Sequence, residues 1–131
     1  MHWMLMPLRR YADFEGRSQR KEYWMFALLN VLIACVVYAL MGLSFAVMNE
    51  SEVMTPLISV FILYGLWGLA ILIPAFAVAV RRLHDTDRSG WNILWGLVPI
   101  VGGLILLYFY VTDGTPGPNR FGPDPKGRAA A

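Results

Sequence analysis

A chain of 131 residues is long enough for one domain, but 57% of its residues are hydrophobic and only 15% charged. Soluble domains carry about 25% charged residues, so an ordinary water-soluble domain is excluded. A net charge of +2 with a pI near 8.9 would tolerate nucleic acid. The basic residues, however, stand at the ends of apolar runs, where anionic headgroups lie, and no nucleic-acid motif accompanies them.

In residues 1–22, Trp3, Met4, Leu5, Met6 and Leu8 lead into Arg9, Arg10 and Tyr11. The expectation is an interfacial segment with apolar side chains inward and arginines outward, although Pro7 also permits a frayed end. No Asp, Glu, Lys or Arg then occurs from Tyr23 to Asn49. A hydrocarbon core of about 30 Å needs about 20 apolar residues as a helix, and this run exceeds that length. Residues 23–48 are therefore read as the first transmembrane helix, entered near Ser18 as an N-cap, with Tyr23 and Trp24 at the interface. The run is too long for the apolar region of a signal peptide and is read as an uncleaved anchor. Cys35, mid-run, is expected to be a buried small apolar residue.

A short acidic connection, Asn49–Glu52, precedes a second charge-free run of similar length, Val53–Val80. Residues 54–80 are read as the second transmembrane helix. Pro74 should kink it and free the carbonyl one turn earlier. Ala75 and Ala79, four apart, suit either close approach of another helix or a bland lipid-facing pair. Residues 81–90 form the expected polar loop, with helix two running about a turn into it.

The third charge-free run, Ser89–Thr112, is the shortest of the three. Its apolar part, residues 91–111, is just long enough to span, but Pro99, Gly102 and Gly103 interrupt it. Base rates favour a simple span. The basic residues favour a re-entrant hairpin, which would gather all 11 Lys and Arg on one side. Both readings put the N-terminus and residues 81–90 in the cytoplasm. Residues 112–131, rich in Gly and Pro, should form a loop without helix or strand. The fold class expected is a small all-α polytopic membrane protein: three apolar helical segments, the third a span or a re-entrant hairpin, and an irregular tail.

Three blocks carry the sequence's distinctive residues: Phe14 to Trp24; Arg81-Arg82-Leu83-His84-Asp85 with Ser89-Gly90-Trp91; and Gly117, Asn119, Phe121-Gly122 and Asp124-Pro125. Their order and spacing resemble the bacterial inner-membrane family called domain of unknown function 805 over about residues 8 to 125, with Asn92 departing where a second aromatic is expected. The resemblance implies an inner-membrane protein and brings no established activity or cofactor.

Physically, Arg17, Arg20 and Lys21 at a membrane edge suit a topology lock and lipid anchor. Gly16 suits a positive φ or a tight approach before the helix. His84-Asp85 could be read as a proton-relay pair, but neighbours on a helix point about 100° apart. A charge network of Asp85 with Arg81 and Arg82 is simpler, and Arg17 or Arg20 should reach Asp85 or Asp87 as an exposed pair. The histidines lack zinc-ligand spacing, so neither metal nor cofactor is expected. The candidate lipid- or partner-binding set is Arg17, Arg20, Lys21, Arg81, Arg82, His84, Asp85 and Asn119. The leading expectation is a non-enzymatic inner-membrane protein binding membrane lipids or a membrane-protein partner. Alternatives are a homo-oligomeric channel or transporter subunit and, third, a membrane enzyme acting on a lipid-like substrate.

Overall fold

The computed structural model describes residues 2–47 and 50–129. A short helix α1 (His2–Arg9) is followed by two long ones, α2 (Arg20–Val47) and α3 (Glu50–Asp85). A 3-10 helix (Gly90–Leu97) and helix α4 (Val101–Val111) complete the elements. Met48, the predicted end of the first span, and Asn49, the start of the predicted acidic connection, lie outside the described residues, and Glu50–Glu52 of that connection belong to α3.

At 1.5 Å per residue, the 28 residues of α2 and 36 of α3 extend about 42 and 54 Å, ample for a bilayer core. Only 6% of the most apolar stretch of each is buried. A core helix of a soluble protein would be mostly covered. Their exposed faces are Leu, Val, Ile and Phe, a surface made for lipid. A polar link joins the helices inside this apolar zone. Trp67 Nε1 donates to Asn30 Oδ1 at 3.2 Å, while Asn30 Nδ2 donates back to the Phe26 carbonyl at 2.8 Å.

Helix α1 packs against both long helices. Lys21 Nζ sits 5.4 Å from the Trp3 ring centre, and beyond the helix Tyr11 Oη donates to the Ala70 carbonyl at 2.5 Å. Ala70 is the residue whose carbonyl Pro74 leaves without a helical donor, so the freed acceptor expected at the kink is met by Tyr11. Pro7, instead of fraying the terminus, is inside α1 and buried.

Several expectations are corrected. Helix α2 starts at Arg20 rather than near Ser18, and Ser18 Oγ has no partner among the described residues. The Ser18 N–H instead donates to the Arg81 carbonyl at 3.1 Å, which ties the entry segment to α3 rather than capping α2. Helix α3 runs through residues 81–85, the expected turn or so into the polar segment, and their charges find partners inside the protein instead of opening to water. Cys35 is exposed, facing outward from α2. Ala79, by contrast, is buried with Leu83 and Tyr110 and packed against Tyr23, so the close-approach reading of the alanines holds at that position.

The third apolar run turns back on itself. Its start lies on α3: a Cβ placed on Gly90 would stand 2.8 Å from Val80 Cγ1. Its end lies at the same pole, where the Tyr110 carbonyl accepts from Trp24 Nε1 at 3.3 Å and the Val111 carbonyl accepts from Arg20 at 3.0 Å. The reversal is tight. Val101 N–H donates to the Pro99 carbonyl at 2.7 Å around Ile100 at φ 63°, the geometry of a γ-turn. Gly102 lets the two limbs close, since a Cβ there would collide with the Trp95 carbonyl oxygen. An 11-residue α4 rises only about 16 Å, half a bilayer core.

Candidate functional site: a buried charge network at one pole

The last turn of α3 carries Arg81, Arg82, His84 and Asp85 to the pole where α2 begins. The segment before α2 delivers Arg17, and the tail after α4 wraps over the top. Arg81, Arg82 and Asp85 are all fully buried (0% exposed), which is tolerable only because each is paired and hydrogen-bonded.

Asp85 is the hub. Its Oδ1 accepts from Arg17 Nε at 3.0 Å and its Oδ2 from Arg82 Nη1 at 2.7 Å. Its backbone carbonyl accepts the Thr115 N–H at 2.9 Å. The tail lies so close that a Cβ on Gly114 would collide with the Asp85 carboxylate, so glycine is required there.

Arg17 spends its remaining donors on tail carbonyls, Gly117 at 2.7 Å and Thr115 at 2.6 Å, with Asp124 at 3.8 Å. Arg82 donates to the Tyr110 carbonyl at 3.2 Å and to that of Thr112. Arg81 turns away from Asp85 and pairs with Glu22 of α2 at 2.9 Å, and also donates to the Asp13 carbonyl.

Of the predicted ion pairs, the structure forms Arg82–Asp85 and Arg17–Asp85. It buries the second rather than exposing it. Arg81 chooses Glu22, Arg20 chooses Asp113 at 3.5 Å, and Asp87 pairs with Arg120 at 3.3 Å. Glu22 and Asp124, which stood in the distinctive blocks but not among the eight candidates, join the site. The signal for Glu22 is an acid at the margin of an apolar run that begins beside a surplus of cations.

His84 and Asp85 face different partners. His84 Nδ1 lies 3.1 Å from the Gly16 carbonyl, and its ring stacks on Phe121 at 3.9 Å, 3° from parallel. Gly16 holds φ 75°, as expected. Asn119 Nδ2 donates to the His84 carbonyl at 2.9 Å, and its Oδ1 accepts the Phe121 N–H at 2.9 Å, which makes it a tail clip.

In the tail, the Arg128 guanidinium hydrogen-bonded to Asp124 at 2.7 Å holds that carboxyl well below the usual carboxylate range. The Lys126 ammonium, hydrogen-bonded to Asp113, lowers that carboxyl too. The predicted irregular tail is thus ordered, with one isolated bridge between Asn119 and Gly122. Among the described residues, no three His, Cys, Asp or Glu side chains converge as metal ligands would.

Of the eight candidate residues, Arg17, Arg81, Arg82, Asp85 and Asn119 are thus committed to internal contacts. His84 is half-buried, and Arg20 and Lys21 remain at the rim. Those two overlook an open hollow floored by Trp24, Met25 and Val111.

Comparison with known proteins finds relatives named as inner-membrane proteins. Inner membrane protein YhaI of Escherichia coli K12 is 44% identical over 130 residues, covering 96% of this chain and 97% of its own. Inner membrane protein YhaH of the same strain is 44% identical over 126 residues, covering 96% and 98%. The uncharacterized protein YiiR, also of that strain, is 29% identical over 137 residues, covering 86% and 85%. No solved structure matches. The family model described as protein of unknown function (DUF805) matches residues 11–123, a span that holds the helix pair and the hub of the charge network, and the chain belongs to that family.

Proposed function

We propose that this bacterial inner-membrane protein is a non-enzymatic component that binds anionic phospholipid headgroups at the rim of its charged pole. The observation that carries the reading is the division of labour among its cations. Arg17, Arg81 and Arg82 are buried and paired, which suits a structural lock. Arg20 and Lys21 stand over the apolar floor of Trp24, Met25 and Val111. Cations above an aromatic and aliphatic shelf match a phosphate above acyl chains. With eleven Lys and Arg at one pole and the end of α2 and start of α3 at the other, the charged pole faces the cytoplasm.

The test is native mass spectrometry from mild detergent, comparing the natural chain with an Arg20→Gln/Lys21→Gln variant. Retained phosphatidylglycerol or cardiolipin, reduced several-fold in the variant, is the expected result. Equal retention by both, or a stoichiometric co-purifying protein in place of lipid, would overturn the reading. Orientation is read separately, from thiol labelling of Ser51→Cys and Ala129→Cys, each in a Cys35→Ala background. Labelling of Ser51→Cys from outside and of Ala129→Cys only after lysis is expected.

A further inference from the structure

We propose that the protein is a one-leaflet wedge, and that it partitions between curved and flat membrane according to which way its charged pole faces. The inference goes beyond headgroup binding and rests on where the elements end. At the charged pole five segments lie side by side: α1, α2, α3, the 3-10 limb and α4. Contacts on both sides of the long-helix pair hold them there, Tyr11 on Ala70 and Trp3 beneath Lys21 for α1, and Trp24 with Tyr110 for α4.

The hairpin stops after about 16 Å, near the middle of a core of about 30 Å. Its tip is apolar and bare, with Leu97 79% and Ile100 84% exposed, so it ends in hydrocarbon rather than in water. Among the described residues, only α2 and α3 continue beyond that depth. Their distal faces, Val36, Leu43 and Phe45 on one and Ile58, Phe61 and Leu63 on the other, are exposed.

Each helix with its side chains is about 10 Å across. The protein therefore displaces roughly two and a half times as much area in the leaflet of the charged pole as in the opposite one. Inserted volume confined to one leaflet is accommodated best where that leaflet is convex and its headgroups are spread.

The experiment uses the full chain labelled through Ala129→Cys in a Cys35→Ala background. It is reconstituted sparsely in giant vesicles of phosphatidylcholine, where binding of anionic headgroups makes no contribution. Narrow tubes are pulled from the vesicles, and an impermeant external quencher separates molecules whose charged pole faces out from those facing in. Outward-facing molecules should be enriched several-fold in the tubes relative to the flat membrane, and inward-facing ones depleted. Equal density of both would overturn the proposal, whether because the molecule is not conical or because a second, inverted copy covers the narrow half. The premise is checked without tubes by a spin label at Ile100→Cys. A depth near the bilayer centre supports the wedge, and contact with aqueous reagents on the far side overturns it.

Discussion

Asp85 sits where α3, the entry segment and the tail meet, and its burial changes the energy scale of every contact there. A surface pair of Arg17 with Asp85 would contribute about 0.2–1 kcal/mol. With both side chains 1% exposed, loss of one partner strands a charge out of water, which typically costs about 3–5 kcal/mol. Asp85→Asn should therefore lower thermal stability in detergent far more than His84→Gln. Asn leaves Arg17 and Arg82 without their shared counter-charge. Gln keeps a hydrogen-bonding group near Gly16 and forfeits the stack on Phe121, worth about 0.5–1.5 kcal/mol. Similar melting temperatures for the two variants would contradict the hub. The residue pattern was legible in part: an acid following two arginines announced a network, and the i,i+3 spacing identified Arg82–Asp85. Burial was not legible. It depends on the tail folding back over the helix ends, and the Gly/Pro-rich stretch after Thr112 gave no sign of its destination.

Among the elements, the two long helices could be read from the sequence because absence of charge throughout Tyr23–Asn49 and again throughout Val53–Val80 has one economical explanation. The third run is of intermediate length, and there length failed as a guide. Its direction is decided by contacts between distant parts: Trp24 and Arg20 on one limb, Val80 beneath Gly90 on the other. The kink at Pro74 shows the opposite case, where local chemistry named the orphaned acceptor and the fold supplied the donor. Tyr11→Phe tests that link. It preserves the ring and removes only the hydroxyl, leaving the Ala70 carbonyl unpartnered in an apolar setting, at a cost of about 1–3 kcal/mol. The expected result is a lower melting temperature with faster hydrogen exchange confined to α1 and the middle of α3. An unchanged exchange pattern there would mean that the hydroxyl does not serve the kink.

At the scale of the whole molecule, the tail is the part that completes the charged pole, and its attachment is electrostatic in a way the spans are not. Asp113 and Asp124 are both held below the usual carboxylate range, chiefly by hydrogen bonds from Lys126 and Arg128 respectively. Arg20 and Arg17 approach the same carboxylates from the membrane side at 3.5 and 3.8 Å. A carboxylate depressed in the folded state contributes stability that is present above its unfolded value, about 3.9 for Asp. That contribution is lost as pH falls through the lower folded value. The tail's internal ion pairs should accordingly hold throughout the neutral and mildly acidic range and come apart, loosening the tail from the helix ends, only in stronger acid, below about pH 4. A spin label on Ala129→Cys in a Cys35→Ala background reports this as a change from immobilised to mobile spectra that reverses on neutralisation. An Asp113→Asn/Asp124→Asn variant should already be mobile at neutral pH. Burial holds His84 below the ordinary histidine value of about 6.5, so release in the mildly acidic range below that value would point instead to His84 and its stack on Phe121 as the fastening. If the double variant stayed docked, the backbone clips, Thr115 N–H on the Asp85 carbonyl and Asn119 on that of His84, would be sufficient by themselves.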